Sequence, residues 1–321
     1  MTEPFVSVVT PVYNGEKFLA EAIESVLAQT YPFSEYIIVD NGSSDQTGEI
    51  AQHYAAQDER IRVIHNQEIL PIMDNWNFAI QQISELSKYC KVLHADDLIF
   101  PECLALMLEV AEYHSTIGIV SSYSLKGNQV VNDGIPYSRK LISGRDVCRR
   151  SLINGSFYVF GSPSSLLLRS DIIRRLEPFY SSHIFADVEA CYRVLQESDF
   201  GFIHQVLTFT RLHADSQTSA IEDFGMSVLG KLLVLKKIGT VYLNRQEYKN
   251  CMDKRLNIYY KFLGKNLLLR REKDFWNYQE DWLRDLGLSI DRKRILISAL
   301  NLLLTNMTRP GKWRKVYPGS F

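Results

Sequence analysis

The chain has 321 residues, of which 46% are hydrophobic and 23% are charged, and these values exclude a disordered or fibrous protein. The formal net charge of −1 conceals an asymmetry between the two parts of the chain. Residues 1–223 carry 16 Lys and Arg against 29 Asp and Glu, whereas residues 224–321 carry 20 against 8. We therefore predict two domains, an acidic one over 1–223 and a basic extension over 224–321.

The cysteines and the apolar runs limit the protein class further. The five cysteines form no CxxC or Cys/His pattern, so a structural zinc site is disfavoured. No basic segment precedes the first apolar run, and the longest such run, residues 295–304, is about half of the ~20 residues that a spanning helix needs. These features predict a cytoplasmic protein, either free or peripheral on the inner face of the plasma membrane.

Strand and helix patterns alternate along the first 125 residues. Runs of β-forming residues at 5–10, 36–39, 61–65, 91–94 and 117–123 alternate with helical apolar spacing at 16–29, 45–56, 72–86 and 101–114. This alternation indicates βαβ crossovers, and therefore an α/β fold with a mostly parallel, Rossmann-like sheet flanked by helices.

The later elements follow a different pattern. Residues 126–165 are rich in Gly, Asn, Ser and Pro and predict loops with one short helix. A strand at 165–169, a helix at 187–196 and a strand at 202–211 complete the acidic domain. Beyond residue 222 the pattern is entirely helical, with predicted helices at 224–238, 241–263, 275–286 and 292–304.

Polar residues follow three of the predicted strands, at the edge where open parallel sheets bind ligands. They are residues 10–15 (TPVYNG), 40–45 (DNGSSD) and 94–97 (HADD). The absence of GxGxxG after the first strand and of GxxxxGK[ST] anywhere disfavours a dinucleotide oxidoreductase and a P-loop NTPase. Asp96 and Asp97 repel each other, a cost that Mg²⁺ or Mn²⁺ commonly offsets; the alternative is a helix cap with a solvated partner.

These motifs carry a resemblance to a known family. Residues 6–14 (VSVVTPVYN) and 21–30 (EAIESVLAQT) resemble the opening of family-2 inverting glycosyltransferases. Residues 38–45 (IVDNGSSD) are similar to the VDDGSxD loop of that family, 75–77 (NWN) to a helix start in one subgroup, and 94–97 to its DxD-type metal motif. The resemblance covers about residues 5–215. It implies a GT-A fold, a nucleoside-diphosphate-sugar donor of which uracil is the usual base, Mg²⁺ or Mn²⁺ as cofactor, and a role in bacterial cell-surface glycan synthesis.

The resemblance also implies roles for individual residues. The implied donor-binding residues are Thr10, Pro11, Tyr13, Asp40, Asn77 and Asp96. Asp97 is expected to hold the metal, and His213, in the R-x-H segment 211–213, to touch the metal or a phosphate. Two departures from the family pattern stand out. His94 replaces an Asp of the commonest metal motif and is expected to support the site rather than bind the metal, and Asn41 replaces the second Asp of VDDGS.

An inverting transfer needs a general base that removes the proton from the acceptor hydroxyl. Residues 185–195 (FADVEACYRVL) resemble the segment that carries the base in the family, which makes Asp187 the candidate. Glu189, two residues later, is an open alternative for the base. A purely structural helix cap is an alternative role for Asp187.

Other interpretations remain open from the sequence alone. The acceptor implied by the resemblance is a hydroxyl of a glycan or lipid-linked glycan. A catalytically degenerate protein that binds a nucleotide or glycan is one alternative. A sugar-phosphate nucleotidyltransferase is another, although residues 10–15 lack the Arg and second Gly typical of that class.

The basic extension lies outside the family motifs. Lys/Arg clusters, including residues 292–294 and 312–315, are interleaved with aromatic residues, a pattern typical of helices at an anionic membrane surface. The alternative is that these helices pack on the acidic domain. No nucleic-acid partner is expected, because the basic residues match no binding motif of that kind.

Overall fold

The computed structural model of the protein describes residues 3–32, 34–155, 160–183, 185–213 and 224–308. The chain divides into two compact units, Met1–His213 and Ala214–Phe321. The domain boundary that we place after residue 223 stays a prediction. The basic cluster at residues 312–315 lies outside the described residues.

One sheet forms the centre of the first unit. Its strands are β1 (Val6–Val12), β2 (Glu35–Asp40), β3 (Ile61–His65), β4 (Tyr89–Val92), β5 (Leu98–Ile99), β6 (Ile117–Lys126), β7 (Gln129–Val131), β8 (Leu141–Ile142), β9 (Leu166–Arg169) and β10 (Asp199–Thr210). They lie in the order β3-β2-β1-β4-β9-β6-β10-β5, with β7 beside β6 and β8 beside β10. The α/β fold is thus confirmed.

The sheet is mixed in direction. Strands β3, β2, β1 and β4 are parallel to one another, as are β6 and β10. Strands β5, β7, β8 and β9 are antiparallel to the strands that they pair with. The strands β5, β7 and β8 were not predicted, because segments of two or three residues are too short to display a period of two.

Helices cover both faces of this sheet. They are α1 (Leu19–Leu27), α2 (Thr47–Ala55), α3 (Ile72–Gln81), α4 (Cys103–Tyr113), α5 (Gly144–Asn154), α6 (Ser170–Arg175) and α7 (Ala186–Val194). Successive residues of a strand point to opposite faces of the sheet. In β10, Gly201 faces Val110 of α4. The preceding residue, Phe200, packs on Phe160, and Phe160 also contacts Tyr192 of α7. The helices α4 and α7 therefore lie on opposite faces.

The register of the strands brings their polar ends to one edge. Val12 at the end of β1 pairs with Asp40, and Asp40 pairs with His65 at the end of β3. Strand β5 pairs antiparallel with Thr208 and Phe209 near the end of β10. This short pairing brings the HADD motif, which immediately precedes β5, beside the residues that follow β10.

The second unit is helical, as predicted. Its described helices are α8 (Met226–Tyr242), α9 (Arg245–Leu268), α10 (Lys273–Asp285) and α11 (Arg292–Thr308). A capping box formed by Asn244 and Glu247 starts α9. The buried Tyr259 donates to Gln279 of α10 at 3.0 Å, and Gly264 of α9 lies against α11 so closely that a Cβ would be 2.8 Å from the Ala299 nitrogen.

Asn41 joins the end of β2 to the segment that precedes α3. Its amide nitrogen donates to the Leu70 carbonyl at 2.9 Å, and its oxygen accepts from the Leu70 N–H and from Asn66. Asn66 in turn donates to Asn75 at the start of α3. Asn41 is 3% exposed, so this network has little competition from water. The departure from VDDGS therefore has a physical reason: this position must both donate and accept.

We predict that Asn41→Asp destabilises the protein by about 2 kcal/mol at neutral pH, since a buried carboxylate would face the Leu70 carbonyl without a proton to donate. Urea unfolding checks the free-energy change. Asn128→Asp, at an exposed turn position, is the matched control and should change stability by no more than about 0.5 kcal/mol. Equal losses in the two variants would contradict the role of the amide donor.

Candidate active site

Hydrogen bonds connect the loops that follow β1 and β2. The Asn14 N–H donates to Ser43 Oγ at 2.9 Å, and the Ser44 N–H donates back to Asn14 Oδ1 at 2.9 Å. One residue further, the Gly15 N–H donates to Thr47 Oγ1 at 2.7 Å. Asn14 has a φ of 50°, a conformation that Asn tolerates better than most residues. These bonds give the polar edge a fixed shape.

Asp40 is the last residue of β2 and is 4% exposed. Its Oδ1 accepts from the Ser43 N–H at 3.0 Å, and its Oδ2 lies 3.0 Å from His65 Nδ1. Gly48 leaves room for this pair, because a Cβ there would be 3.3 Å from both side chains. Two hydrogen bonds orient the carboxylate, and each of its oxygens keeps a further lone pair for a ligand.

The three candidates on β1 and its loop differ in exposure. Thr10 is fully buried, and its hydroxyl lies 3.0 Å from the hydroxyl of buried Tyr36. Pro11 is also buried, whereas the side chain of Tyr13 is 50% exposed. Of these three residues, Tyr13 has the side chain that is accessible to a ligand. A contact of Thr10 or Pro11 with a base or ribose stays a prediction.

Asp96 and Asp97 occupy different environments within the HADD loop. Asp97 is 2% exposed, and its Oδ1 accepts from the Arg211 N–H at 3.2 Å. Burial, with the neighbouring Asp96 carboxylate, raises the pKa of Asp97 to about 7. Asp96 is partly exposed, and its Oδ2 lies 2.9 Å from His213 Nε2. The buried carboxylate is therefore costly to ionise without a cation nearby.

Arg211 holds the loop from the other side. Its Nε donates to the Asp96 carbonyl at 3.2 Å, its guanidinium pairs with Glu21 at 2.7 Å, and it lies 4.5 Å from the centre of the Phe18 ring. The His213 ring also packs on Phe18, at 5.1 Å between ring centres. The R-x-H segment therefore lies against the HADD loop, whereas metal contact by His213 stays a prediction.

Ser164 connects the metal motif to the strands beneath it. Its hydroxyl accepts from the His94 N–H at 3.1 Å and also bonds Asp97. Its carbonyl accepts from Nζ of Lys91, a fully buried residue of β4, at 2.7 Å. Burial lowers the pKa of Lys91, and the nearby Cys103 and Asp97 partly offset that effect. Lys91 cannot be recognised from the sequence alone, because nothing in the pattern of a strand marks a lysine that points inward.

His94 lies between aromatic side chains and the carboxylates. Its ring packs on Trp76 at 4.5 Å between centres, and Trp76 also meets Tyr180 edge-on at 5.3 Å. Among the described residues, the buried His94 Nε2 has no hydrogen-bond partner. Burial lowers the pKa of His94, and the negative charges of Asp96 and then Asp187 partly offset this effect. The imidazole is therefore neutral at physiological pH.

Asn77 acts as a clamp across 103 residues of sequence. Its Nδ2 donates to the Tyr180 carbonyl at 2.7 Å, and its Oδ1 accepts from the Tyr180 N–H at 2.8 Å. Both ends of the amide are therefore used within the protein. Direct contact between Asn77 and a donor stays a prediction, whereas the clamp itself fixes the segment that leads into α7.

Asp187 and Glu189 differ sharply although both lie in the first turn of α7. One oxygen of Glu189 accepts from Ser181 at 2.9 Å, and the other is in short contact with His183 Nε2. Asp187 accepts from N–H groups at the start of its own helix. Burial raises the pKa of Asp187, and the Val188 N–H and then His94 partly offset this rise. Glu189 therefore braces the loop before α7, whereas the role of Asp187 as the base stays a prediction.

A divalent cation fits the residues of the HADD loop. A ring nitrogen of His94 and one carboxylate oxygen each from Asp96 and Asp97 lie within 4.8 Å of one another. A bound cation would lower the raised pKa of Asp97 and would give the unpartnered His94 nitrogen a partner. The identity of the metal stays a prediction, as Mg²⁺ or Mn²⁺.

Comparisons with known proteins agree with this geometry. The family model described as Glycosyl transferase family 2 matches residues 7–171, just over half of the chain. Glycosyltransferase GlyG of Streptococcus pneumoniae is 30% identical over 147 residues, which cover 46% of this chain and 46% of GlyG. The putative teichuronic acid biosynthesis glycosyltransferase TuaG of Bacillus subtilis is 34% identical over 137 residues, 43% of this chain and 52% of TuaG.

The matched regions are partial for the first relatives. The chain spans less than half of the length of the first three curated relatives that it matches. Among solved structures, residues 1–349 of TarS of S. aureus in complex with UDP-GlcNAc superpose with a TM-score of 0.66 at 16% identity, over 99% of this chain and 93% of that one. At this identity the likeness shows a shared fold, and the expected GT-A fold is confirmed.

Proposed function

The chain belongs to glycosyl transferase family 2, and from this premise we propose that it transfers a sugar, with inversion, from a nucleoside-diphosphate-sugar to a hydroxyl of a glycan or lipid-linked glycan. The observation that carries the proposal is the position of His94, which lies close enough to both Asp96 and Asp187 for their charges to influence its pKa. The candidate metal motif and the candidate base therefore both lie near this one side chain. An inverting transfer needs these two functions on opposite sides of the sugar.

The donor end of the site is supported by the edge formed by β1 and β2. Asp40 is a buried, oriented acceptor, suited to the N–H of a uracil ring, and Tyr13 is exposed beside it. The TarS structures in complex with UDP and with UDP-GlcNAc support a UDP-sugar as the donor. The diphosphate would meet Asp97 through Mg²⁺ or Mn²⁺, which as a Lewis acid would stabilise the negative charge of the leaving group.

At the acceptor end, Asp187 takes the proton. Its raised pKa makes the carboxylate a better base than an exposed Asp, and its position at the start of α7 fixes its direction. The bonds from Ser181 and His183 to Glu189 hold the preceding loop in place. Glu189 is thereby assigned a positioning role rather than that of the base.

We predict that Asp187→Asn lowers kcat by about 10³-fold, since general-base catalysis contributes about 10²–10⁴-fold. The measurement is release of nucleoside diphosphate from the donor. Glu189→Gln is the matched control, with the same loss of charge two residues away, and should lower kcat less than about tenfold. A larger loss in Glu189→Gln than in Asp187→Asn would transfer the base role to Glu189.

Nucleotide binding tests the donor site independently of turnover. We predict that UDP, in a screen with dTDP, GDP and CMP, raises the melting temperature only when Mn²⁺ or Mg²⁺ is present. At 100-fold over Kd the stabilisation is about 2.7 kcal/mol. Asp97→Ala should abolish the metal-dependent part. Absence of a shift with every nucleotide would overturn the donor proposal, whereas binding without turnover would indicate a degenerate glycosyltransferase.

The second unit supports a place of action at a membrane. No helix among the described residues is both long and apolar enough to cross a bilayer. Helix α11 packs through Ile295 and the small Ala299, while Leu296, Ile297, Leu300 and Leu303 are each at least 43% exposed. Exposed Arg292 and Lys293 begin the same helix. An apolar helical face beside basic residues fits an anionic membrane surface, where a lipid-linked acceptor would lie.

We predict that the protein floats with vesicles containing anionic lipid, and that Leu296→Gln with Leu300→Gln reduces the bound fraction at least fivefold. Each substitution removes the favourable free energy of burying a leucine side chain in the bilayer. Leu86→Gln, at an exposed apolar residue of the first unit, is the control and should bind as wild type. Equal binding by all three proteins, or concentration-dependent dimers without vesicle binding, would contradict a membrane role for α11.

A further inference from the structure

We infer that His94 is a direct nitrogen ligand of the divalent cation, together with Asp97 and Asp96, and that it shifts the preference of the site from Mg²⁺ towards Mn²⁺. The inference rests on the proposed metal-assisted transfer and deepens it. It also departs from the expectation that His94 merely supports the site.

The donor atoms are already close to the spacing that one ion requires. Metal bonds to nitrogen and oxygen are about 2.0–2.2 Å long, so two ligands of one ion lie roughly 3–4.4 Å apart. The ring nitrogen of His94 and the oxygens of Asp96 and Asp97 all lie within 4.8 Å of one another. A small closure of the loop is therefore enough for all three to reach one cation.

The imidazole is held in a fixed position. Trp76 packs on one side of the ring, and the His94 backbone N–H is bonded to the hydroxyl of Ser164. That same hydroxyl bonds Asp97, so the histidine and the buried carboxylate share one anchor. A single serine hydroxyl thus contacts both the backbone of His94 and the side chain of Asp97.

One nitrogen of this ring is unsatisfied. Within the described part of the chain, His94 Nε2 is buried and has no hydrogen-bond partner, although buried polar atoms are almost always paired. His213 is engaged differently, since its Nε2 contacts Asp96 Oδ2 at 2.9 Å. Of the two histidines, His94 is thus the one that belongs to the group able to share an ion.

A nitrogen ligand has a consequence for the choice of metal. Carboxylates and water suit Mg²⁺, whereas affinity for imidazole rises along the first-row transition metals, beginning with Mn²⁺. Replacing an aspartate of the commonest motif by histidine therefore favours Mn²⁺ over Mg²⁺. Compared with the commonest motif, the site also carries one negative charge fewer, and it therefore attracts both Mg²⁺ and Mn²⁺ less strongly.

The test uses Mn²⁺ alone and Mn²⁺ with UDP, with pulsed electron paramagnetic resonance of the bound ion as the readout. Wild type should display modulation from a directly bound imidazole nitrogen. His94→Asp should bind Mn²⁺ without this modulation, and His213→Gln should retain it. In calorimetric titrations, His94→Asp should reduce the ratio of Mn²⁺ to Mg²⁺ affinity by about tenfold.

The possible outcomes separate this inference from the proposed function. Bound Mn²⁺ without nitrogen modulation in the wild type overturns the role of His94 and leaves metal-assisted transfer standing. Modulation lost in His213→Gln but kept in His94→Asp assigns the nitrogen to His213 and also overturns the inference. Absence of Mn²⁺ binding, even with UDP, overturns both the ligand assignment and the metal-assisted mechanism.

Discussion

The pairing of β5 with the end of β10 is the constraint on which the candidate active site depends. Only Leu98 and Ile99 form β5, yet their bonds to Phe209 and Thr208 bring the HADD loop against Arg211. In this arrangement Asp97 is 2% exposed although it lies in a loop between two strands. Burial, together with the neighbouring Asp96 carboxylate, raises the pKa of Asp97.

The sequence carries most of the fold and the identity of the main candidates. Strands such as β1 and β2 have clear patterns, and the polar motifs at the ends of β2 and β4 locate Asp40, Asp96 and Asp97 in the chain. Short strands such as β5 cannot be predicted in this way, because two residues have no measurable period. Such a strand forms only where a partner strand lies beside it. The resemblance leads us to expect the HADD loop near residues 211–213. It does not predict the pairing of β5 with β10 that brings them together.

Other features depend on tertiary contacts that no local pattern encodes. The resemblance favours Asp187 as the base and leaves Glu189 as an alternative, and the bonds from Ser181 and His183 to Glu189 distinguish the surroundings of the two carboxylates. Likewise, the departure of Asn41 from the family pattern is unexplained until Asn66 and Leu70 are seen beside it. In each case the role of a residue is decided by partners that are distant in sequence.

The clamp between Asn77 and Tyr180 has a consequence for how such a protein can diversify. It ties the segment before α7 directly to α3, although the residues between them in sequence include β7, β8 and α5. Insertions or deletions in the turns of that region, such as residues 132–140, can change the surface there while the start of α7 keeps its place relative to α3. The clamp thus separates a region that can vary in length from a junction whose geometry is fixed.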